Sequence, residues 1–449
     1  MRAIHVAGIA LAAACAPIDA DPRASWLGTT LAFDNRDLIT RDPDLVAGKY
    51  AKMSLGPYAF LRGTAAQLER DAAEFFATAH AGRAVAVLRV GDPHPENVGT
   101  FRASDGPIAI DFNDFDAANF GPYYLDVWRL GQGLDVWLRQ SRMSDEVRAR
   151  AVEMLVRAYA EEIRGTFTST TDGRIAADLV RRAARDGAAR EELDDETEID
   201  ASGQRKLLRG ELEPRLDPRV IEAELHDPSP AAAWIAHAIE REWPATTCCV
   251  SEASVRDVVR RFGSGVSSYP LERYDVLLAN DVILEVKEVR DPLPSQPTGA
   301  RPTHVHANNA ERAVDLARRL QSRADQDPQL GWIARGALSL RVRDRTKYQK
   351  GFDVARFDEK IAEGEWSGVD VLPFARLMGA TLARDHGRAL TAYGEPARPS
   401  IDAAIGPDVE AFVDEAVANI GAAADRTMTD YLLFLALLER EGPLLGAGR

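Results

Sequence analysis

One block limits what this chain can fold into more than any other. Residues 258–289, VVRRFGSGVSSYPLERYDVLLANDVILEVKEV, are rich in β-branched residues and divided by turn-forming stretches. They read as three antiparallel strands, and ALSLRVRD (337–344) reads as one more. On both sides the period is helical, over 65–80, 144–164, 174–192, 218–241 and 308–322, and mostly from about 353 to the end. The expected fold is therefore α+β: a helical body interrupted by a small antiparallel β unit. At 449 residues the chain exceeds one ordinary core. The expected division is a leader over 1–20, a helical lobe over 21–245, a β-rich lobe over 246–345 and a helical part over 346–449. A proline-rich connector (291–302) leads out of the strands, and EELDDETEID (191–200) reads as an acidic surface segment between helices.

Charge and hydropathy remove some functions. A net charge of −15 argues against a general nucleic-acid-binding surface. No segment reaches the roughly 18–20 apolar residues of a membrane span. MRAIHVAGIALAAACAPIDADPR leaves two readings open: a lipoprotein signal cleaved before Cys15, with a lipid anchor there and a periplasmic location, or the first segment of a cytoplasmic protein. Cys248 and Cys249 are adjacent and lack metal-ligand spacing, so they are expected to be small buried residues.

The chemistry concentrates in RVGDPHPENVGTFRASDGPIAIDFNDFD (89–116), which holds five aspartates. They are either turn residues and strand ends or a charged pocket. Strands are expected at 84–90 and 107–112, with an Asp105-Gly106 turn in the stretch between them. A hairpin of these strands would bring Asp92, Asn97 and Asp111 to one mouth. Two carboxylates and an amide oxygen form a hard set suited to Mg²⁺ held jointly with phosphates. GSGVSS (263–268) is a glycine-rich turn between strands, and Lys287 stands amid apolar residues in ILEVKEV. Pointing inward, that lysine needs an anion, because a buried unpaired ammonium is costly.

GDPHPEN (91–97) followed by IDFND (110–114) resembles the catalytic loop and metal-binding aspartate of aminoglycoside phosphotransferases and other kinase-like enzymes. GSGVSS and VKEV resemble their glycine-rich loop and strand lysine. More closely, GPYAFLRG (56–63), GDPHPENVG, DFNDFDAANFGPYYLDVWRL and LARDHGRA (382–389) resemble the DUF2252 family of bacterial proteins, over about residues 45–390. The resemblance implies a kinase-like two-lobed fold. The glycine-rich loop here follows the catalytic loop by about 170 residues, which implies a circular permutation.

By the same resemblance Asp92 is the catalytic carboxylate, and Asn97 and Asp111 are the Mg²⁺ ligands. Lys287 contacts the nucleotide phosphates, Gly263 and Gly265 let backbone amides approach them, and Glu311 or Asp315 pairs with Lys287. Asp126 braces the catalytic loop. Arg62 reaches a phosphate or pairs with the acidic loop, while His94 and His386 are packing residues. Asn113, Asp114 and Asp116 either hold a second ion or cap a turn. The implied function is an ATP- and Mg²⁺-dependent phosphotransferase acting on a small-molecule or protein hydroxyl. Two alternatives are a nucleotide-binding pseudokinase and a lipid-anchored binding protein without turnover.

Overall fold

In the computed structural model, residues 21–81, 86–102, 106–168, 173–185, 193–209, 230–292, 305–322, 327–345 and 348–447 are described. The leader with Cys15, Asp105, the first half of the helix expected over 218–241 and nearly all of the connector at 291–302 lie outside them.

Four helices come first: α1 (Pro22–Arg41), α2 (Pro43–Met53), α3 (Pro57–Gly63) and α4 (Ala65–Phe75). A proline opens each of the first three, where its missing N–H costs nothing. The Asp21 and Asp42 carboxylates accept free N–H groups in the first turns of α1 and α2. Two antiparallel ladders follow: β1 (Ala86–Arg89) pairs with β4 (Asn119–Pro122), and between them β2 (Val98–Phe101) pairs with β3 (Ala109–Phe112). The strands expected around 84–90 and 107–112 thus form, but not with each other. Their true partners, VGTF and NFGP, are four residues long and contain glycine or proline, which hides them from a reading of periodicity.

The helices α5 (Tyr123–Gln140), α6 (Asp145–Arg164) and α7 (Arg174–Ala184) come next. A hairpin of β5 (Thr197–Ile199) and β6 (Arg205–Leu207) takes up part of the expected acidic segment, and α8 (Pro230–Arg241) follows. The β unit comprises β7 (Val255–Arg260), β8 (Arg273–Leu278), β9 (Ile283–Glu288), α9 (Asn309–Leu320), β10 (Gly331–Arg335) and β11 (Leu338–Asp344). Its sheet is antiparallel with strand order β10-β11-β9-β8-β7. The chain ends in α10 (Val354–Ala362), α11 (Val371–Arg388), α12 (Ala397–Ile405) and α13 (Val409–Glu441). The fold is α+β, a helical body with a small antiparallel sheet.

The three largest of the buried clusters among the described residues join the parts. The helical body buries Trp128, Trp137, Tyr159, Phe357 and Phe374. In the β unit, Ile235, Ala238 and Ile239 of α8, with Trp243, pack against Tyr274, Val276, Val286, Ile333 and Leu340, so this core begins before residue 246. A third core joins Leu27, Leu31, Tyr50 and Phe60 of the first helices to Phe434 and Leu437 of α13 and to Val266 of the β7–β8 connection. Cys248 and Cys249 are not buried thiols: both are exposed in the turn after Trp243 and are linked to each other. Among the described residues no helix is long and apolar enough to cross a membrane.

Candidate active site

Where β1 ends, the chain turns at Gly91, whose φ is +94°. A Cβ there would lie 2.1 Å from the carbonyl oxygen of Ala117, so only glycine lets the 91–97 loop approach the 113–117 loop this closely. Asp126, in the first turn of α5, accepts the N–H groups of Val90 (2.7 Å) and Gly91 (3.3 Å). It is held in turn by His386 Nε2 at 3.2 Å, and His386 Nδ1 meets the Tyr159 hydroxyl at 2.8 Å. Asp126 is therefore the brace of the loop, and His386, fully buried, is packed structure.

A cavity of about 470 Å³ opens beside this loop, within the roughly 300–1,000 Å³ range of ligand pockets. Asp92, His94 and Asn97 line it from the 91–97 loop, Asp114 and Asp116 from the acidic loop, and Lys287 from β9. The Asp92 carboxylate accepts Arg129 Nε at 2.8 Å through one oxygen; the other accepts no hydrogen bond among the described residues. Burial raises its pKa above the ordinary carboxylate range, against the pull of Arg129. The Asn97 amide N–H donates to the Asp92 carbonyl (3.0 Å), and the Asn97 carbonyl accepts the Asn113 N–H (2.9 Å), which ties the two loops together. Asn97 lines the cavity, and its side-chain oxygen accepts no hydrogen bond among the described residues. His94 is buried edge-on to Tyr58, and burial, with Arg62 and Arg129, holds its pKa well below the usual imidazole range. Arg62 pairs with Glu96 of the same loop.

Asp111 does not reach the cavity. Successive strand residues face opposite ways, and Asp111 falls on the face of β3 covered by α11 and the end of α9. There, buried, it accepts the N–H groups of Phe112 and Ser322, both at 2.8 Å. Arg388, 2.8 Å from Asp385, lies 3.6 Å from Asp111. Burial, with the neighbouring Asp111 carboxyl, raises Asp385 well above its ordinary range, and burial raises Asp111 too. The expected ligand pair of Asn97 and Asp111 is therefore not assembled.

Past the end of β3 the loop turns back, and Asp114 and Asp116 take the place intended for Asp111. Lys287 Nζ sits between them, 3.0 Å from Asp114 and 2.6 Å from Asp116, with Arg341 3.4 Å from Asp116. Burial works against the charge of Asp114, but Lys287, Arg341 and Arg343 outweigh it and hold its pKa far below the usual range. Lys287 thus points inward and meets carboxylates, though not those of α9. Glu311 is spent on its own helix start, accepting the Ala307 N–H at 2.6 Å, and Asp315 pairs with His306 and Arg319, both at 2.8 Å. The residue α9 sends toward the acidic loop is Arg312, which donates to the carbonyls of Asp116 (2.8 Å) and Ala118.

Gly263 and Gly265 both have positive φ, +64° and +75°, but neither lines the cavity; Val266, Ser267 and Ser268 at the loop tip do. Behind the tip the Tyr269 ring packs on α2 so closely that a Cβ at Gly48 would stand 2.5 Å from it.

Among the described residues no group of three or more His, Cys, Asp or Glu side chains is placed to hold a metal ion. Asp114 and Asp116 supply hard oxygen donors around a cationic position that Lys287 fills, and Asn97 lines the same cavity. That set suits Mg²⁺ when phosphate and water oxygens complete it.

Fold and site together define an α+β protein whose cavity is walled by a helical body and a small antiparallel sheet. The chain belongs to the family described as "Uncharacterized protein conserved in bacteria (DUF2252)", whose model matches residues 41–437. No curated protein and no solved structure matches it.

Proposed function

We propose that this protein is an ATP- and Mg²⁺-dependent phosphotransferase with a circularly permuted kinase-like fold, acting on a hydroxyl group. The observation that carries the reading is Lys287, inserted between Asp114 and Asp116 in the cavity that also takes Asp92 and Asn97. The order within the β unit supports it. A glycine-bearing turn joins the first two strands, the lysine lies on the third and a helix follows, as in protein kinases.

In this reading Asp114 and the Asn97 side-chain oxygen would hold Mg²⁺ with the nucleotide, and the ion would supply charge neutralisation at the phosphates. Lys287 turns from the acidic loop to a phosphate. Asp92, fixed by Arg129, orients the acceptor hydroxyl and takes its proton; a raised pKa suits a base working near neutrality. Positioning and electrostatics supply most of the catalysis.

Calorimetry on the full chain tests this. Mg²⁺-dependent ATP binding is expected, weakened about tenfold or more in Asp114→Ala, the loss of roughly one charge-assisted contact, and little changed in Asp111→Asn. Absence of ATP binding by the folded protein rejects the proposal. One observation favours a second reading, a nucleotide-binding protein without turnover: α9 offers Arg312 where kinases use a glutamate to set the lysine. ATP binding without phosphate transfer to any acceptor or to water would select it.

A further inference from the structure

Lys49, on α2, lines the cavity that holds Asp92 and Lys287. Only 6% of it is exposed, and among the described residues its ammonium has one hydrogen bond, to Asn35 Oδ1 at 2.9 Å. Asn35 is itself fixed from behind, its amide N–H groups donating to the Leu31 carbonyl (2.8 Å) and the Tyr50 hydroxyl (3.2 Å). No carboxylate among the described residues lies within ion-pairing distance of Lys49. The one whose charge it feels, Asp34, is gripped by both terminal nitrogens of Arg70 at 2.5 and 2.9 Å. The other cavity cations differ in this respect: Arg62 has Glu96, Arg70 has Asp34, and Lys287 has Asp114 and Asp116. A further cation, Arg290, lines the same cavity, and its side chain comes within 3.4 Å of the largely exposed Asp37.

A buried ammonium without an anion is costly, and proteins rarely keep one without use. Here burial depresses the lysine to a pKa of about 8, which an arriving anion would reverse. Two of the three ammonium donors remain for a ligand.

We infer that the part of the cavity around Lys49, Asn35 and Arg290 is an anion-binding subsite, and that the phosphate acceptor is a small hydroxyl compound whose own carboxylate or phosphate group it holds. The identity of this ligand as the acceptor rests on the phosphotransferase reading; the subsite does not. The acceptor is small because Lys49 is recessed in the wall, where the end of a small molecule fits and a protein loop does not. Its two ends meet opposite charge: the hydroxyl end faces Asp92, and the anionic end faces Lys49 and Arg290.

The test uses the full chain in anion-poor buffer, with millimolar inorganic phosphate in one arm and succinate in the other, read by thermal midpoint and calorimetry. Either anion is expected to raise the midpoint of the wild type, and the stronger of the two gives the acceptor's anionic group. Lys49→Met keeps the apolar stem and is expected to fold with a midpoint at or above the wild type. It should lose about tenfold or more in anion affinity, the range of a hydrogen bond to a charged group. Lys49→Arg should regain part of the response, and Asp114→Asn should keep it. An equal anion response in Lys49→Met overturns the subsite. So does a midpoint well below the wild type in anion-poor buffer, which would make Lys49 a structural partner of Asn35. Mg²⁺–ATP binding with no anion response removes the subsite and leaves the phosphotransferase reading; an anion response without ATP binding does the reverse.

Discussion

Asp111 and Asp385 show how residue type and residue role come apart. Both are wholly buried and in contact, and Arg388 is the cation beside them. Their raised pKa values mean that the folded state binds protons more tightly than the unfolded chain, whose carboxyls titrate near 3.9. Stability from this pair is therefore complete below about pH 4 and declines as pH rises through the folded values. Asp385→Asn, which is neutral at every pH, should gain on the wild type as pH increases from about 4 to neutrality in urea unfolding. A stability difference constant with pH would mean the two do not share a proton. From sequence the gathering of polar residues at 89–116 was legible, since GDPHPEN and the acidic run after IDF do meet at one cavity. Which aspartate faces it was not, because spacing along a strand does not say which face is covered. The same limit applies to Glu311 and Asp315: a helix face was readable, but Arg312, one residue on from Glu311, is what it turns toward the acidic loop.

Among the elements, α2 and the β7–β8 connection depend on each other most closely. Tyr269 lies on Gly48, Lys52 reaches the Gly263 carbonyl at 3.4 Å, and Val266 enters the core under α1 and α13. Gly48→Ala should push the Tyr269 ring away and shift the Val266–Ser268 tip. Overpacking of this kind costs about 1–3 kcal/mol. The proposed ATP affinity should fall as well, and both losses should recover in Gly48→Ala/Tyr269→Ala, a coupling that a double-mutant cycle measures. Additive losses would mean the contact does not position the tip. The long strands and helices that frame these parts were readable, as 258–289 and 308–322 show. The four-residue strands VGTF and NFGP were not, since their pairing depends on residues distant in sequence. Nor was strand β10 (GWIAR), which begins with a glycine and reads as a strand only beside β11.

Across the whole molecule, Arg23 fastens the first helix to the rest. Its guanidinium holds Asp71 (2.7 and 2.8 Å) and Asp430 (2.6 and 2.8 Å), both mostly buried. Arg23→Ala would leave two carboxylates facing each other, so a loss of about 3–5 kcal/mol is expected by chemical unfolding. Arg23→Lys, which cannot grip both forks at once, should recover less than half. An unchanged unfolding midpoint in Arg23→Ala would show the clamp to be dispensable. The third core has a further consequence, in the order of synthesis. Its members come from residues 27–60, from Val266 and from 434–445, so the wall that carries Lys49 and the support of the glycine-bearing tip both await α13 and the residues just after it. The nascent chain would hold every cavity residue named here by the end of β9 and its flank, yet lack a finished cavity until α13 arrives. A chain cut short before Phe434 would therefore carry all of these side chains and still lack the packed wall that sets them.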